Sequence, residues 1–265
     1  VGTTVISGGT DGLGRALARH LLDAGGTVVV IGRDHRKFAG LAHDRAHFVQ
    51  ADLTLLRDND RVVAEIAEAH PRVDALVLTA AHVVTRRTLT PEGIEHNLAL
   101  YALSRHTLAE GLLPQLRRAP HPVVLNTAVP GAPRTAMHWH DPTLAERYSW
   151  RAANLQSRRA NLLSALALTA REPRLGYVLY NPLFVRGSLS GDLSRTRRAL
   201  TTLLFRLAPT PERSLSPILH LLTTPPRDRV TAYTKAKRLP LDLTPEDHTE
   251  ARRLEALVAE LRARL

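Results

Sequence analysis

The feature that most restricts how this chain can fold is its start. An apolar, β-branched run from Thr3 to Ser7 enters Ser7-Gly8-Gly9-Thr10-Asp11-Gly12-Leu13-Gly14, and an amphipathic helical pattern follows from Leu13 to Ala24. Glycines at positions 8, 12 and 14 allow a tight turn and close backbone approach, because a residue without Cβ tolerates positive φ. The helix presents unpaired N–H groups and a partial positive charge at its first turn, so strand, turn and helix together suit a bound phosphate. Alone, the glycine triplet would indicate only a turn. In this context it points to a dinucleotide pyrophosphate held by Ser7, Gly8, Gly9, Thr10, Asp11, Gly12, Leu13 and Gly14.

Further apolar runs predict buried strands at Thr27 to Ile31, His47 to Gln50, Ala75 to Leu78, Val123 to Asn126 and Tyr177 to Tyr180. Amphipathic helices are predicted between and after them at Asp58 to Ala69, Ile94 to Arg117, Ala152 to Ala170 and Arg252 to Leu265. This alternation predicts an α/β fold, a Rossmann-type doubly wound parallel sheet with helices on both faces. No internal repeat or polar linker divides the chain, so residues 1–265 are expected to form one domain. Two long connections, Thr127 to Arg147 and Arg186 to Pro211, follow strands at their carboxyl ends. Ligands bind at that edge in such sheets, so these connections are either pocket walls or surface insertions.

Composition narrows the function classes. With no cysteine, thiolate nucleophiles, disulfides and cysteine metal sites are excluded, and a cytoplasmic location fits. No apolar stretch reaches membrane-helix length. The net charge of +11 comes almost wholly from arginine, since Lys37, Lys235 and Lys237 are the only lysines. These arginines are scattered and aromatics make up 4% of residues, which argues against nucleic-acid binding and for an anionic small molecule. Homo-oligomer formation is compatible with this composition. His138, His140 and Asp141 cluster in the first long connection but lack a distant third ligand, so an acid–base or plain loop role is expected, not a metal site.

Several segments carry a family resemblance. The spacing Gly8-x-x-x-Gly12-x-Gly14, the strand end Ile31-Gly32-Arg33-Asp34, the step Ala51-Asp52-Leu53 and the run Leu78-Thr79-Ala80-Ala81 are four of them. Others are Thr90-Pro91-Glu92-Gly93-Ile94-Glu95, Leu112-Leu113-Pro114, Ser157-Arg158-Arg159-Ala160-Asn161 and Thr210-Pro211-Glu212. Together the chain resembles the short-chain dehydrogenase/reductase superfamily, in its retinol-dehydrogenase and protochlorophyllide-reductase-like branch. The resemblance implies a nicotinamide cofactor, with Asp52 and Leu53 beside the adenine, Ala80 and Ala81 beside a ribose, Arg158 within reach of it, and Pro182 near the nicotinamide. Arg33 stands where the family often meets a 2′-phosphate, which implies NADP(H) over NAD(H).

The same resemblance implies a catalytic Asn, Ser, Tyr and Lys, needed to protonate a substrate oxygen beside the nicotinamide. Its registration puts these roles on Asn97, Ala128, Asn154 and Arg158, so only the Asn is kept. Tyr148 has Ala152 four residues on where a tuning Lys would be required. Asn97, Tyr101, Thr127, Asn154 and Arg158 therefore form the candidate catalytic set, while Leu183 adds bulk and Gly187 or Ser188 stands near the carboxamide position. Three functions fit. They are an atypical NADP(H)-binding oxidoreductase acting on a small organic substrate, such as one of a biosynthetic pathway; a non-redox cyclase, dehydratase or isomerase; and an inactive nucleotide-binding regulator.

Overall fold

The computed structural model describes residues 2–186 and 208–265. Gly187, Ser188 and most of the second long connection, with the helical core expected there, lie outside the described residues. The predicted strands form as β1 (Thr3–Ser7), β2 (Thr27–Gly32), β3 (Ala46–Gln50), β4 (Ala75–Leu78), β5 (Val123–Asn126) and β6 (Gly176–Asn181). Two more, β7 (Val230–Thr234) and β8 (Lys237–Leu239), extend one edge as a hairpin whose turn places Lys235 at φ 52. Their polar, interrupted sequences carry no strong apolar signal, because β8 lies at the sheet edge. The eight strands run in the order β3-β2-β1-β4-β5-β6-β7-β8, parallel except for the β7–β8 pair. This is the doubly wound Rossmann-type arrangement, with its reversal of winding between β1 and β4.

Both faces of the sheet are covered, which is why the central strands read as continuous apolar runs. Alternate side chains go to opposite sides. Val5, Val29, Ile31, Leu76, Leu78 and Val124 pack on one face with Val62 and Ile66 of α3 (Leu56–Ala69). Ile6, Val28, Val30, Val77 and Leu125 pack on the other with Leu17 and Leu22 of α1 (Gly12–Asp23). A short α2 (His35–Phe38) follows β2 and adds Phe38 to the second face.

The stretch Ile94 to Arg117 is not the single helix its periodicity predicts. It begins as a short α4 (His96–Leu98), widens into a π-helical turn over Ala99–Leu103, and resumes as α5 (Ser104–Gly111). Leu112 ends that run, and α6 (Leu113–Leu116) restarts with Pro114 in its first turn. Proline lacks the N–H that would continue the ladder, whereas the N-terminal turn of a helix does not need it.

The long helix α7 (Trp150–Arg171) packs behind these elements, and α8 (Leu215–Thr223) joins the face of α1. The last helix, α9 (Pro245–Ala263), lays Leu254 and Val258 against Leu163 and Leu166 of α7. It begins seven residues before the predicted Arg252, because Thr244 and Asp247 form a capping box at its start. Asp247 also receives Arg134 of the loop after β5 and Arg159 of α7, pinning both to the start of α9. No described helix is long and apolar enough to cross a membrane.

Gly8 has φ +72, and a Cβ there would stand 2.7 Å from Ala80 Cα; Gly25 has φ +88 with nothing within 4 Å. Gly25→Ala is expected to cost only the conformational strain, about 1–2 kcal/mol. Gly8→Ala adds overpacking against backbone, for a total of about 2–5 kcal/mol. Urea unfolding of the two variants checks this ordering, and equal losses would contradict the packing described at Gly8.

Candidate functional site

The glycine turn is locked to two strands. Gly8 N–H donates to Ile31 O of β2 at 2.9 Å, while Thr79 donates through both its N–H (3.1 Å) and its Oγ1 (2.6 Å) to Ser7 O. A Cβ on Gly14 would lie 2.5 Å from Gly8 O and 2.6 Å from Thr79 Oγ1, so α1 seats directly on the turn. Asp11 caps α1, accepting Gly12 N–H at 2.7 Å, and its other oxygen pairs with Lys37 at 3.2 Å. Leu13 and Gly14, in the first helical turn, have no intrahelical acceptor for their N–H groups.

Around this turn lies a cleft of about 760 Å³ at the carboxyl ends of the strands. Of the residues expected to hold a dinucleotide, Gly8, Thr10, Asp11, Gly12, Leu13, Gly14, Arg33, Asp52, Leu53, Ala80, Ala81 and Pro182 line it. Ser7 and Gly9 brace the turn from beneath instead. Ser7 is 1% exposed and tied to β4, and a Cβ on Gly9 would meet Val30 Cγ1 at 3.0 Å.

At the β2–β3 end, Arg33 projects from the end of β2 with no side-chain ion pair among the described residues. The neighbouring acid, Asp34, is committed to α2, accepting Arg36 N–H at 2.9 Å and Arg36 Nε at 3.2 Å. Arg36 holds the Asp34 carboxyl below its usual range. Asp52 folds its carboxylate back onto Thr54, accepting the N–H at 3.0 Å and the hydroxyl at 2.8 Å.

At the β4–β6 end the cleft is lined by Tyr101, Arg105, Thr127, Val129 and the stretch from Asn181. Tyr101 belongs to the π-helical turn, and its phenol oxygen accepts His82 N–H at 2.9 Å. Burial pushes this phenol up, and the Arg105 charge partly offsets that. Thr127 Oγ1 donates to Leu78 O at 2.8 Å. Leu183 adopts φ 57 and exposes its side chain at the rim, as does Phe184. A non-glycine residue held at positive φ stores local strain of the kind found around ligand sites.

The candidate catalytic residues are not all brought together. Tyr101 and Thr127 reach the cleft; Asn97, Asn154 and Arg158 are not among its lining residues. The Asn97 amide, buried in α4, donates to Glu95 Oε1 at 3.1 Å and to Tyr148 OH at 3.3 Å. Arg158 clasps the loop after β5, donating to Val129 O at 2.9 Å and Pro130 O at 2.8 Å. Asn154 stands half-buried on α7, and Ala128 is buried in the core. In the histidine cluster, Asp141 accepts Ala145 and Glu146 N–H groups and so shapes its own loop.

Sequence reasoning passed over Arg105. It donates to Asn126 Oδ1 at 2.6 Å and Ala80 O at 3.2 Å, and Asn126 donates on to Asn161 (2.6 Å) and Tyr177 (2.9 Å). Asn161 in turn donates to Tyr101 O at 2.6 Å, tying α7 to the π-helical turn. The available signal was its position four residues after Tyr101, one turn along a largely apolar helix face.

A strand order reversing beside a glycine turn, with a cleft at the carboxyl edge, defines a dinucleotide-binding α/β protein. The short chain dehydrogenase family model matches residues 2–140, over half of the chain, and the chain belongs to that family of oxidoreductases. It is 27% identical over 149 residues to bovine dehydrogenase/reductase SDR family member 12, covering 52% of this chain and 46% of that protein. To mouse polyprenol dehydrogenase it is 31% identical over 121 residues, covering 43% and 36%. The matches thus span less than half of these curated relatives.

Among solved structures, a short-chain dehydrogenase from Streptomyces avermitilis aligns with TM-score 0.63 at 20% identity, covering 99% of this chain and 95% of that one. A 3-ketoacyl-(acyl-carrier-protein) reductase from Brucella melitensis, complexed with NADH, gives 0.61 at 22% identity, covering 88% and 95%. An alcohol dehydrogenase from Thermococcus sibiricus, complexed with 5-hydroxy-NADP, gives 0.61 at 15% identity, covering 90% and 99%. Neighbours of this fold therefore carry either kind of nicotinamide cofactor.

The clasp made by Arg158 predicts that Arg158→Ala leaves nucleotide affinity within about twofold, since a contact outside the cleft carries little of the binding energy. The same change is expected to speed amide hydrogen exchange in the loop around residues 129–131. Calorimetry and exchange mass spectrometry check the two halves. A tenfold loss of nucleotide affinity would place Arg158 in the binding site instead.

Proposed function

We propose that this chain is an atypical NADP(H)-dependent oxidoreductase acting on a small organic carbonyl or alcohol, with the cofactor seated in the cleft and Tyr101 as proton donor. The observation that carries the cofactor preference is at the end of β2. Arg33 has no ion-pair partner among the described residues, whereas Asp34, the acid that could receive a free ribose hydroxyl, is occupied in capping α2. An unpaired guanidinium favours a 2′-phosphate over a neutral ribose.

The residues present fit such a cofactor. Gly8 and Gly14 are packed so closely that no Cβ could be added, which keeps the turn and the first helical turn open to a pyrophosphate. Ala80 and Ala81 offer small side chains beside a ribose. When bound, NADPH supplies a hydride. The chain's own contribution is then to donate a proton at the substrate oxygen. Tyr101 is suited to this because its oxygen already accepts His82 N–H, leaving its O–H proton to point elsewhere.

A second reading, a non-redox cyclase, dehydratase or isomerase, is favoured by one observation: α7 sends neither Asn154 nor Arg158 into the cleft. Stoichiometric NADPH consumption during turnover eliminates it.

Calorimetric titration tests the first reading. NADPH is expected to bind more tightly than NADH, and Arg33→Ala to weaken NADPH by about tenfold or more while leaving NADH within about twofold. Equal affinities in the unaltered protein, or an equal loss for both nucleotides in the variant, would contradict the preference.

A further inference from the structure

The β4–β6 end of the cleft is built around a positive charge that no acid among the described residues neutralises. Arg105 is 3% exposed and lines the cleft, yet it forms no ion pair with a carboxylate among the described residues. Its Nη1 and Nη2 donate to neutral acceptors, Asn126 Oδ1 and Ala80 O, and its Nε, itself buried, has no partner among the described residues. A buried guanidinium without an opposite charge is strongly disfavoured unless something supplies that charge. If its task were only to tie Asn126 to Ala80, a neutral amide could donate the same bonds without burying a cation.

Two further features point the same way. Tyr101 precedes Arg105 by one helical turn, with the guanidinium carbon 5.4 Å from the ring centroid, and its phenol retains a proton to donate. The acids lining the cleft are Asp11, Asp34 and Asp52, all on the β1–β3 side. Each already accepts hydrogen bonds from its own loop or helix start. The other end holds a cation, a hydroxyl donor and no acid among the described residues.

From this we infer that the β4–β6 end of the cleft binds a carboxylate of the substrate through the charge of Arg105, which leaves the one hydroxyl proton of Tyr101 for the reacting oxygen beside it. The substrates are then small organic acids that carry the reacting carbonyl or alcohol beside the carboxylate. This inference rests on the reading that a nicotinamide cofactor fills the rest of the cleft.

Benzoate and benzamide differ in charge and hardly in shape, so they serve as probes. Titrated calorimetrically into NADPH-loaded protein, benzoate is expected to bind at least about tenfold more tightly than benzamide. Arg105→Met is expected to abolish that difference, and Arg105→Lys to retain most of it. The inference is overturned by equal affinities in the unaltered protein, by no benzoate binding at all, or by a benzoate preference undiminished in a folded Arg105→Met. The comparison in the unaltered protein needs no variant, so it decides the matter even where Arg105→Met fails to fold. NADPH titrated alone reports separately on the cofactor. If NADPH does not bind while the free protein still prefers benzoate, the cofactor reading fails and the anion site stands.

Discussion

Everything in this molecule that concerns a ligand depends on how closely β1 and β4 can be drawn together where the winding of the sheet reverses. That approach is set by two glycines. Gly8 has no room for a Cβ against Ala80, and Gly14 none against Gly8 O and Thr79 Oγ1, so turn, helix and neighbouring strand meet backbone to backbone. The paired bonds from Thr79 to Ser7 O fasten the contact from the other side. A cleft at this position follows from topology, since helices on opposite faces of the sheet leave a crevice where they part.

The opposite wall depends on a break in regular structure. In a continuous helix through residues 94–117, the backbone carbonyl of Tyr101 would be committed to the helical ladder. The π-helical turn and the Asn161 amide instead hold that carbonyl from α7, while the phenol meets His82 and the guanidinium of Arg105 reaches Asn126. Such single-turn widenings recur at functional sites because they re-aim side chains without ending the helix. Here the result is a titratable phenol and a cation at one end of the cleft, with α7 acting as support through Asn161 and through the grip of Arg158 on Val129 and Pro130.

The sheet was legible in the sequence because both faces are buried, which makes the central strands short runs rich in Val, Ile and Leu, bounded by turn residues. The phosphate-binding turn was legible for a related reason: its chemistry depends on backbone, and backbone needs leave glycines behind. Strands β7 and β8 were not legible, because both are half-polar, and each is held by its neighbour in the sheet, β7 by β6 and the edge strand β8 by β7. The other half of the site was harder. Family registration put catalytic roles on Asn97, Asn154 and Arg158, but whether a side chain on a helix faces a cleft is decided by the turn it occupies. The π-helical turn shifts that phase between Asn97 and Tyr101, while on α7 Arg158 is held by the backbone of the loop after β5. Arg105 left only a spacing as its trace, since a buried arginine reads in sequence like any solvated one.

On the function proposed, a phosphorylated dinucleotide lies across the β1–β4 switch point, from Arg33 to Tyr101. A crystal structure grown with NADPH tests it most directly. The expected result is pyrophosphate density over the first turn of α1, a 2′-phosphate within hydrogen-bond distance of Arg33, and the nicotinamide directed toward Tyr101 and Thr127. A nucleotide bound elsewhere, or an empty cleft at saturating NADPH, would contradict it.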